Sequence, residues 1–461
     1  MGCWFQPPIR RSGLRICLFG GLVLPVGYLL RGDKVLAGLS GYLIDCSRGA
    51  VVSRVRRVCG VAVVSVLLVA LAACTGQPGG QVDASSCASP GVTDSEVRVG
   101  VVYTDSGALS APFAPARAGF EARLAVENEK GGVNGRRIVY QPRDDGGSTT
   151  GNLAVSRDLV ANYGAFAILE SSATTSDAAK YLADEKIPVI GISAEEVWSS
   201  YRNMFAFAYL ASKGLPVDTF GRFVKEHGGT RAMVIGTSTR LTGSDLNSHM
   251  VKSLRGTGVQ IDEANPVVEF LPGVTSAARL AQRMVDQKID TVVSGGAAAD
   301  IAEVVSVARS AGVRLKVVLT ATAPDAALLE RYGQSLAGLA FFEPFTPFES
   351  ENPGLDAYHK AMARHAPEIS DPNQTVALAA YINADMLIRG LQEAGPCPTR
   401  QGFIDRLRQV HDYTAGGLVP TTDFEADFGQ LRACYAFVRV AADAKHFEVI
   451  DPNYCGTRPS G

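Results

Sequence analysis

Hydroxyl-bearing residues gather in short runs of this sequence: Thr104-Asp-Ser-Gly-Ala108, Glu170-Ser-Ser-Ala-Thr-Thr-Ser176, Gly191-Ile-Ser-Ala-Glu195 and Ser294-Gly-Gly-Ala297. Ser and Thr hydroxyls, with the backbone N–H groups at the start of a helix, hold polar or anionic groups without covalent chemistry. Ser106, Ser171, Ser172, Thr174, Thr175 and Ser193 are the candidate contacts, with Ile192 and Ala194 offering backbone groups beside them. Each alone reads as a helix N-cap; as a set on one edge of one sheet they make a binding site. Tyr103, Trp198, Tyr209 and Phe345 are candidates for an apolar pocket wall near these loops. Covalent and metal chemistry lack their signatures. After Cys74 there is no GxSxG, HExxH, SxxK or P-loop, and the six histidines include no ligand-spaced pair, so an enzyme or a metal centre is disfavoured and no cofactor is implied.

Cys74 carries a different chemistry. Arg54, Arg56 and Arg57 precede an apolar run, residues 61–71, that is short for a bilayer span and ends in Leu71-Ala-Ala-Cys74. Small residues ahead of a cysteine form a lipobox, in which the thiol is acylated and becomes the first residue of the mature chain. The reading is an exported lipoprotein with signal peptide 51–73 and a polar tether 74–93, anchored to the outer face of the cell membrane. Residues 1–50 fall outside this scheme, because a signal peptide opens a chain. Translation is expected to begin near Val51 or Val52, since a GTG start codon reads as Val. Four cysteines follow Cys74, namely Cys87, Cys397, Cys434 and Cys455. An even number in an exported chain predicts two disulfides, with three connectivities open.

The elements that must position these groups alternate. Strands are expected at 97–102, 137–141, 165–169 and 187–190, with helices at 112–130, 152–163 and 175–185 between them. A second series follows, with strands at 231–235, 267–270, 291–293, 316–319 and 339–342 and helices at 243–254, 277–287, 299–311 and 323–332. Helices at 374–393 and 400–410 and strands at 432–440 and 446–450 complete the chain. Strand–helix alternation predicts parallel sheets covered on both faces, an α/β class, in which ligands bind beyond the carboxyl ends of the strands. At 461 residues there is material for two cores, and a net charge of −2 gives no reason to expect a nucleic-acid partner.

Val97-Arg-Val-Gly-Val-Val102, then Glu127-Asn-Glu-Lys-Gly-Gly-Val-Asn-Gly-Arg136 and Arg143-Asp-Asp145, resemble the start of the type I periplasmic binding proteins of ABC importers, in particular the branched-chain amino acid and amide binders. Ser171-Ser-Ala-Thr-Thr-Ser-Asp-Ala178 followed by Ile187-Pro-Val-Ile190 extends the match, which runs over roughly residues 94–455. The resemblance implies two Rossmann-like lobes joined by a three-segment hinge. Lobe 1 would be 94–211 with 341–440, lobe 2 212–340, and 441–461 a hairpin and tail near the hinge. It also implies a ligand that closes the lobes and an ABC permease partner, or a membrane receptor if the closed state is a signal. The family's amino-acid binders grip the ligand ammonium with an Asp, a Tyr and a Glu, where this chain has Ala211, Ala297 and Thr322. An amino-acid-like ligand, an organic acid or an amide remains, with Ser172, Thr174 and Ser193 donating to its oxygen end. Hairpin register about a turn near Asp443 places Cys434 opposite Cys455, leaving Cys87 for Cys397 at the far end of lobe 1.

Overall fold

The computed structural model describes residues 28–30, 35–37, 89–107, 110–210, 212, 216–236 and 243–458. Cys74, Cys87, Ala211 and the signal segment lie outside them. In the first of two units, Met1–Gly80, the described residues form an antiparallel ribbon of β1 (Tyr28–Leu30) and β2 (Val35–Ala37). Everything that follows belongs to the second unit, Gln81–Gly461.

The first lobe is built on five parallel strands, β3 (Glu96–Tyr103), β4 (Arg137–Asp144), β5 (Ala167–Ser171), β6 (Val189–Gly191) and β7 (Met204–Phe205), in the order β4-β3-β5-β6-β7. β5 is buried along its whole length, as a parallel strand covered on both faces must be. The expected helix over 112–130 is broken at Pro115 into α1 (Ser110–Phe113) and α2 (Ala116–Glu129). Proline fixes φ and lacks an N–H, so it starts the second helix more readily than it continues the first. α3 (Thr149–Asp158) runs on into a π-helical turn, Leu159–Tyr163, and α4 is Ser176–Asp184. The Gly131-Gly-Val-Asn-Gly-Arg136 run is a tight turn between α2 and β4. Gly131, Gly132, Asn134 and Gly135 all sit at positive φ, from 51° to 97°, where glycine and asparagine are the natural occupants.

The second lobe has α5 (Thr219–Glu226), β8 (Ala232–Gly236), α6 (Gly243–Gly256), β9 (Val267–Glu269), α7 (Ala277–Asp286), β10 (Thr291–Ser294), α8 (Ala298–Ser310), β11 (Val317–Thr320), α9 (Ala326–Tyr332) and β12 (Ala340–Glu343). The chain then returns to the first lobe for α10 (Pro353–His365), α11 (Thr375–Ala394) and α12 (Arg400–Arg408), before ending in β13 (Cys434–Val440) and β14 (Phe447–Cys455). Two helices had no counterpart in the sequence reading, α5 and α10, although α10 has a clear start: Asn352 caps it, accepting from Gly354 N and Leu355 N, with Pro353 in the first turn.

The second sheet runs β14-β13-β12-β11-β10-β8-β9. This corrects the expected lobe boundaries. Residues 341–343 and 434–440, assigned to lobe 1 by the resemblance, are inner strands of the second sheet, and β14 is its edge. The physical reason is visible in β12. Phe341 packs into one core cluster of this lobe and Phe342 into the other, so the strand is apolar on both faces and must lie inside the sheet. Of the residues after β12, those between Phe345 and Phe428 join the core of the first lobe, where α11 lies against α2. The approach is close enough that a Cβ on Gly119 would fall 2.0 Å from Ala377 O.

The chain therefore crosses between lobes after β7, after β12 and before β13. The first and third crossings lie side by side: Tyr209 bridges Leu431 in parallel, Ser212 Oγ donates to Gly429 O at 2.5 Å, and Arg432 Nη1 donates to Phe207 O at 2.6 Å. Since β7 and β12 are left at their carboxyl ends, the carboxyl edges of both sheets face the hinge. The hairpin register pairs Cys434 with Cys455, and the two are disulfide-bonded. Cys397 is disulfide-bonded as well.

Candidate functional site

Loops at the carboxyl edge of the first sheet converge on a carboxylate, Asp145, which is 2% exposed. β4 ends at Asp144, so Asp145 is delivered to the edge by the strand itself, and its backbone N–H donates to Tyr103 O at 3.1 Å. Thr104 Oγ1, at the end of β3, donates to Asp145 Oδ1 at 2.9 Å. Ser172 Oγ and Thr174 Oγ1, from the loop after β5, both donate to Oδ2, the latter at 3.1 Å, and Asn152 Nδ2 of α3 donates to the same oxygen at 3.2 Å. Asn152 reaches Glu170 Oε1 as well, at 2.9 Å, where it is joined by Thr175 Oγ1 at 2.5 Å. Glu170 is fully buried in β5 and its Oε2 has no partner. Burial, only partly opposed by the hydrogen bonds from Thr175 and Asn152, pushes its carboxyl up to about 8.

This geometry changes the role expected for the hydroxyls. A Ser or Thr hydroxyl has one proton. Those of Ser172 and Thr174 go to Asp145, that of Thr175 to Glu170, and that of Ser193 to Ala208 O at 2.8 Å. Ser193 Oγ also accepts from Leu210 N at 3.2 Å, fixing the loop after β6 to the first hinge crossing. Ser172, Thr174 and Ser193 are therefore placed as supports that hold the edge in shape, and not as free donors to a ligand oxygen. Ser171 differs: its hydroxyl is buried at the end of β5 without a partner. Ser106 is exposed and donates to Asp144 Oδ2 at 2.5 Å.

Glu195 follows Ile192 and Ala194 and caps a short 3-10 helix, Glu196–Ser199, through its backbone. Its carboxylate reaches across to the start of α4, where Oε2 accepts from Thr175 N and, at 3.0 Å, from Ser176 N. Burial raises its pKa against the opposing effect of these hydrogen bonds. The position at which an anionic group was expected thus holds a carboxylate of the protein. The aromatic candidates pack as core. Trp198 is fully buried with Nε1 donating to Thr175 Oγ1 at 3.3 Å, Phe345 lies in the first lobe's core, and Tyr209 stands edge-on to Phe428. Tyr103 is buried beside them, its hydroxyl donating to Asp105 Oδ2 at 3.1 Å.

The same edge of the second sheet is sparser. Ser294 Oγ accepts from Gly296 N at 3.1 Å, Thr320 Oγ1 donates to Thr322 O at 2.9 Å, and Ala297 N donates to Asp300 Oδ2 at 2.9 Å. β12 ends in Glu343, 4% exposed, whose Oε2 is buried without a partner. Burial drives its pKa well above the carboxylate range, and the charge of Glu349 adds to the shift. Asp145, Glu170 and Glu343 were not singled out as site residues from sequence. Glu170 and Glu343 did carry a signal, since each is an acid placed in an otherwise apolar strand, Ala167-Ile-Leu-Glu170 and Ala340-Phe-Phe-Glu343.

A family model described as periplasmic binding protein matches residues 96–445. A Leu/Ile/Val-binding protein of Citrobacter freundii is 25% identical over 312 residues, covering 65% of this chain and 80% of the relative. Among solved structures, a fatty acid ABC transporter substrate-binding protein from Thermomonospora curvata superposes with a TM-score of 0.65 at 17% identity, covering 79% of this chain and 94% of its own. A branched-chain amino acid transporter substrate-binding protein from Streptococcus pneumoniae, solved with isoleucine, gives 0.62 at 17% identity, covering 77% and 100%.

Proposed function

Since the chain belongs to the periplasmic binding protein family, we propose that it captures a small polar or amphipathic ligand between its two lobes and hands it to the permease of an ABC importer. The observation that carries this reading is the shared orientation of the two carboxyl edges. Loops of the first sheet, braced on Asp145, and the end of β12 in the second face one hinge of three crossings. A ligand touching both edges binds the closed arrangement better than the open one and shifts the population toward it. Relatives named for Leu/Ile/Val and for fatty acid support a small-molecule ligand with apolar content.

The family is extracytoplasmic, and we place this member on the outer face of the cell membrane through a lipid on Cys74, on the strength of Leu71-Ala-Ala-Cys74. The second disulfide of the proposal is Cys87–Cys397. The test of function is small-angle scattering of the purified protein during a thermal-shift screen against amino acids, amides, organic acids and amines. A binding protein gives a hit that raises the melting temperature and contracts the particle together; hits without contraction would refute closure. For the anchor, Cys74→Ala should move the protein from the membrane fraction to the soluble one.

A further inference from the structure

Glu195 and Glu343 bear on which ligand this cleft takes. The loops after β3, β4, β5, β6, β10, β11 and β12 contain Asp105, Asp145, Glu195, Asp325, Glu349 and Glu351, and no lysine, arginine or histidine. The loops after β7 and β8 add Lys213, Asp218 and Arg240 by sequence, so acids still outnumber cations across the edge; these two loops, like that after β3, include residues outside those described. Such an edge sets up a negative potential that attracts cations and repels anions. Two side chains give this general field a local form. In lobe 1, Glu195 holds both N–H groups at the start of α4 through Oε2. A ligand carboxylate seeking those donors meets a carboxylate already in place. In lobe 2, Glu343 ends β12 at the crossing into lobe 1, 4% exposed, with a buried oxygen that no protein group satisfies. A buried acid without a partner is costly unless it stays protonated or a cation arrives. Arg432, the cation ahead of β13 at the third crossing, is engaged in donating to Phe207 O, Thr422 Oγ1 and Pro420 O at 2.6, 3.0 and 3.2 Å.

We propose that the ligand is a small organic cation without a carboxylate. Glu195 takes the place of a ligand acid group in lobe 1, and Glu343 is the counter-charge that the ligand completes in lobe 2. This rests on the binding-protein reading above and adds the ligand class to it. The two residues are specificity determinants, one by exclusion and one by attraction.

Matched pairs of probes test it: isopentylamine against 4-methylpentanoate, and phenethylamine against 3-phenylpropanoate, with leucine carrying both groups. The measurements are thermal shift and calorimetric affinity on the purified protein. The amines should bind and raise the melting temperature, and the acids should not. Glu195→Ala should admit the acids, with a gain of about tenfold or more in their affinity, because it frees the start of α4. Glu343→Gln should weaken the amines by about tenfold or more while raising the melting temperature of the ligand-free protein, a combination that mere misfolding cannot give. Acids that stabilise the native protein as well as their amines do, or an amine shift unchanged in Glu343→Gln, would overturn the assignment. So would silence from both amines. If the broad screen still yields a contracting hit in any of these cases, the binding-protein reading stands and only the ligand class falls.

Discussion

The two sheets present the same edge to the hinge but finish it differently. In lobe 1 the edge is braced by one network, with only Glu170 Oε2 and Ser171 Oγ left over among its described buried groups. Asp145 alone accepts from Thr104, Ser172, Thr174 and Asn152, and Asn152 carries the network on to Glu170. In lobe 2 the edge is short side chains, Ser294-Gly-Gly-Ala297 and Thr320-Ala-Thr322, with an acid at the end of β12 that has an unsatisfied oxygen. Lobe 1 is shaped by its network before any ligand arrives; lobe 2 has no such network around the acid that ends β12. Preorganised polar networks lower the ordering that binding must impose, and incomplete ones supply the difference in affinity between open and closed states.

If lobe 1 is the preorganised partner, its edge should tolerate damage far less than that of lobe 2. Asp145→Ala should show the largest effect. It strands buried donors from Thr104, Ser172, Thr174 and Asn152, each worth about 1–3 kcal/mol when left unsatisfied, so a loss on the order of 4 kcal/mol is expected in urea denaturation. A loss near zero would show that the network is not what shapes the edge. Lobe 2 closes its outer hairpin covalently. Replacing Cys434 and Cys455 together with Ala should cost about 2–4 kcal/mol, read from the melting temperature with and without reductant.

Glu170 sharpens the contrast through pH. Its carboxyl keeps its proton up to about 8 in the folded protein, whereas an unfolded chain releases it near the ordinary carboxylate value. Between those limits the folded state binds the extra proton, so stability falls as pH rises from about 5 to about 8. Glu170→Gln should flatten that decline and stabilise the protein at pH 8 by on the order of 2 kcal/mol. A steeper decline in the variant would contradict the assignment. The smallest effect is expected in lobe 2: Ser294→Ala, which removes one acceptor for Gly296 N, should change stability by less than about 1 kcal/mol.

Much of this architecture was legible in the sequence. The alternation of strands and helices, the turn at Gly131-Gly-Val-Asn-Gly-Arg136 and the pairing of Cys434 with Cys455 follow from period, backbone freedom and hairpin register, all of which are local. The direction of the hydroxyls was not legible. Whether Ser172 faces a ligand or Asp145 depends on a residue 27 positions away in the chain, and nothing in either segment encodes which partner is nearer. The reach of Glu195 was not legible for the same reason, because its contact with Thr175 N lies on another loop. The boundary at 340–343 was missed because a strand apolar on both faces fits either sheet until its neighbours are known.

The threading of the second sheet sets an order of assembly. Its strands β8 to β12 emerge early, yet β13 and β14 arrive only at residues 434–455, after α10, α11 and α12 have been made for the other lobe. The segment after β14 then fastens to the beginning of that lobe, where Asp218 N donates to Thr457 O at 3.0 Å and Thr457 Oγ1 to Asp218 Oδ2 at 2.8 Å. Sequence separations of this length make folding slow and non-local. A nascent chain stopped before residue 434 would expose β12 as an open apolar strand edge, a template for aggregation. The second lobe is completed only when residues 434–455 join it, after the helices of the first lobe have already been made.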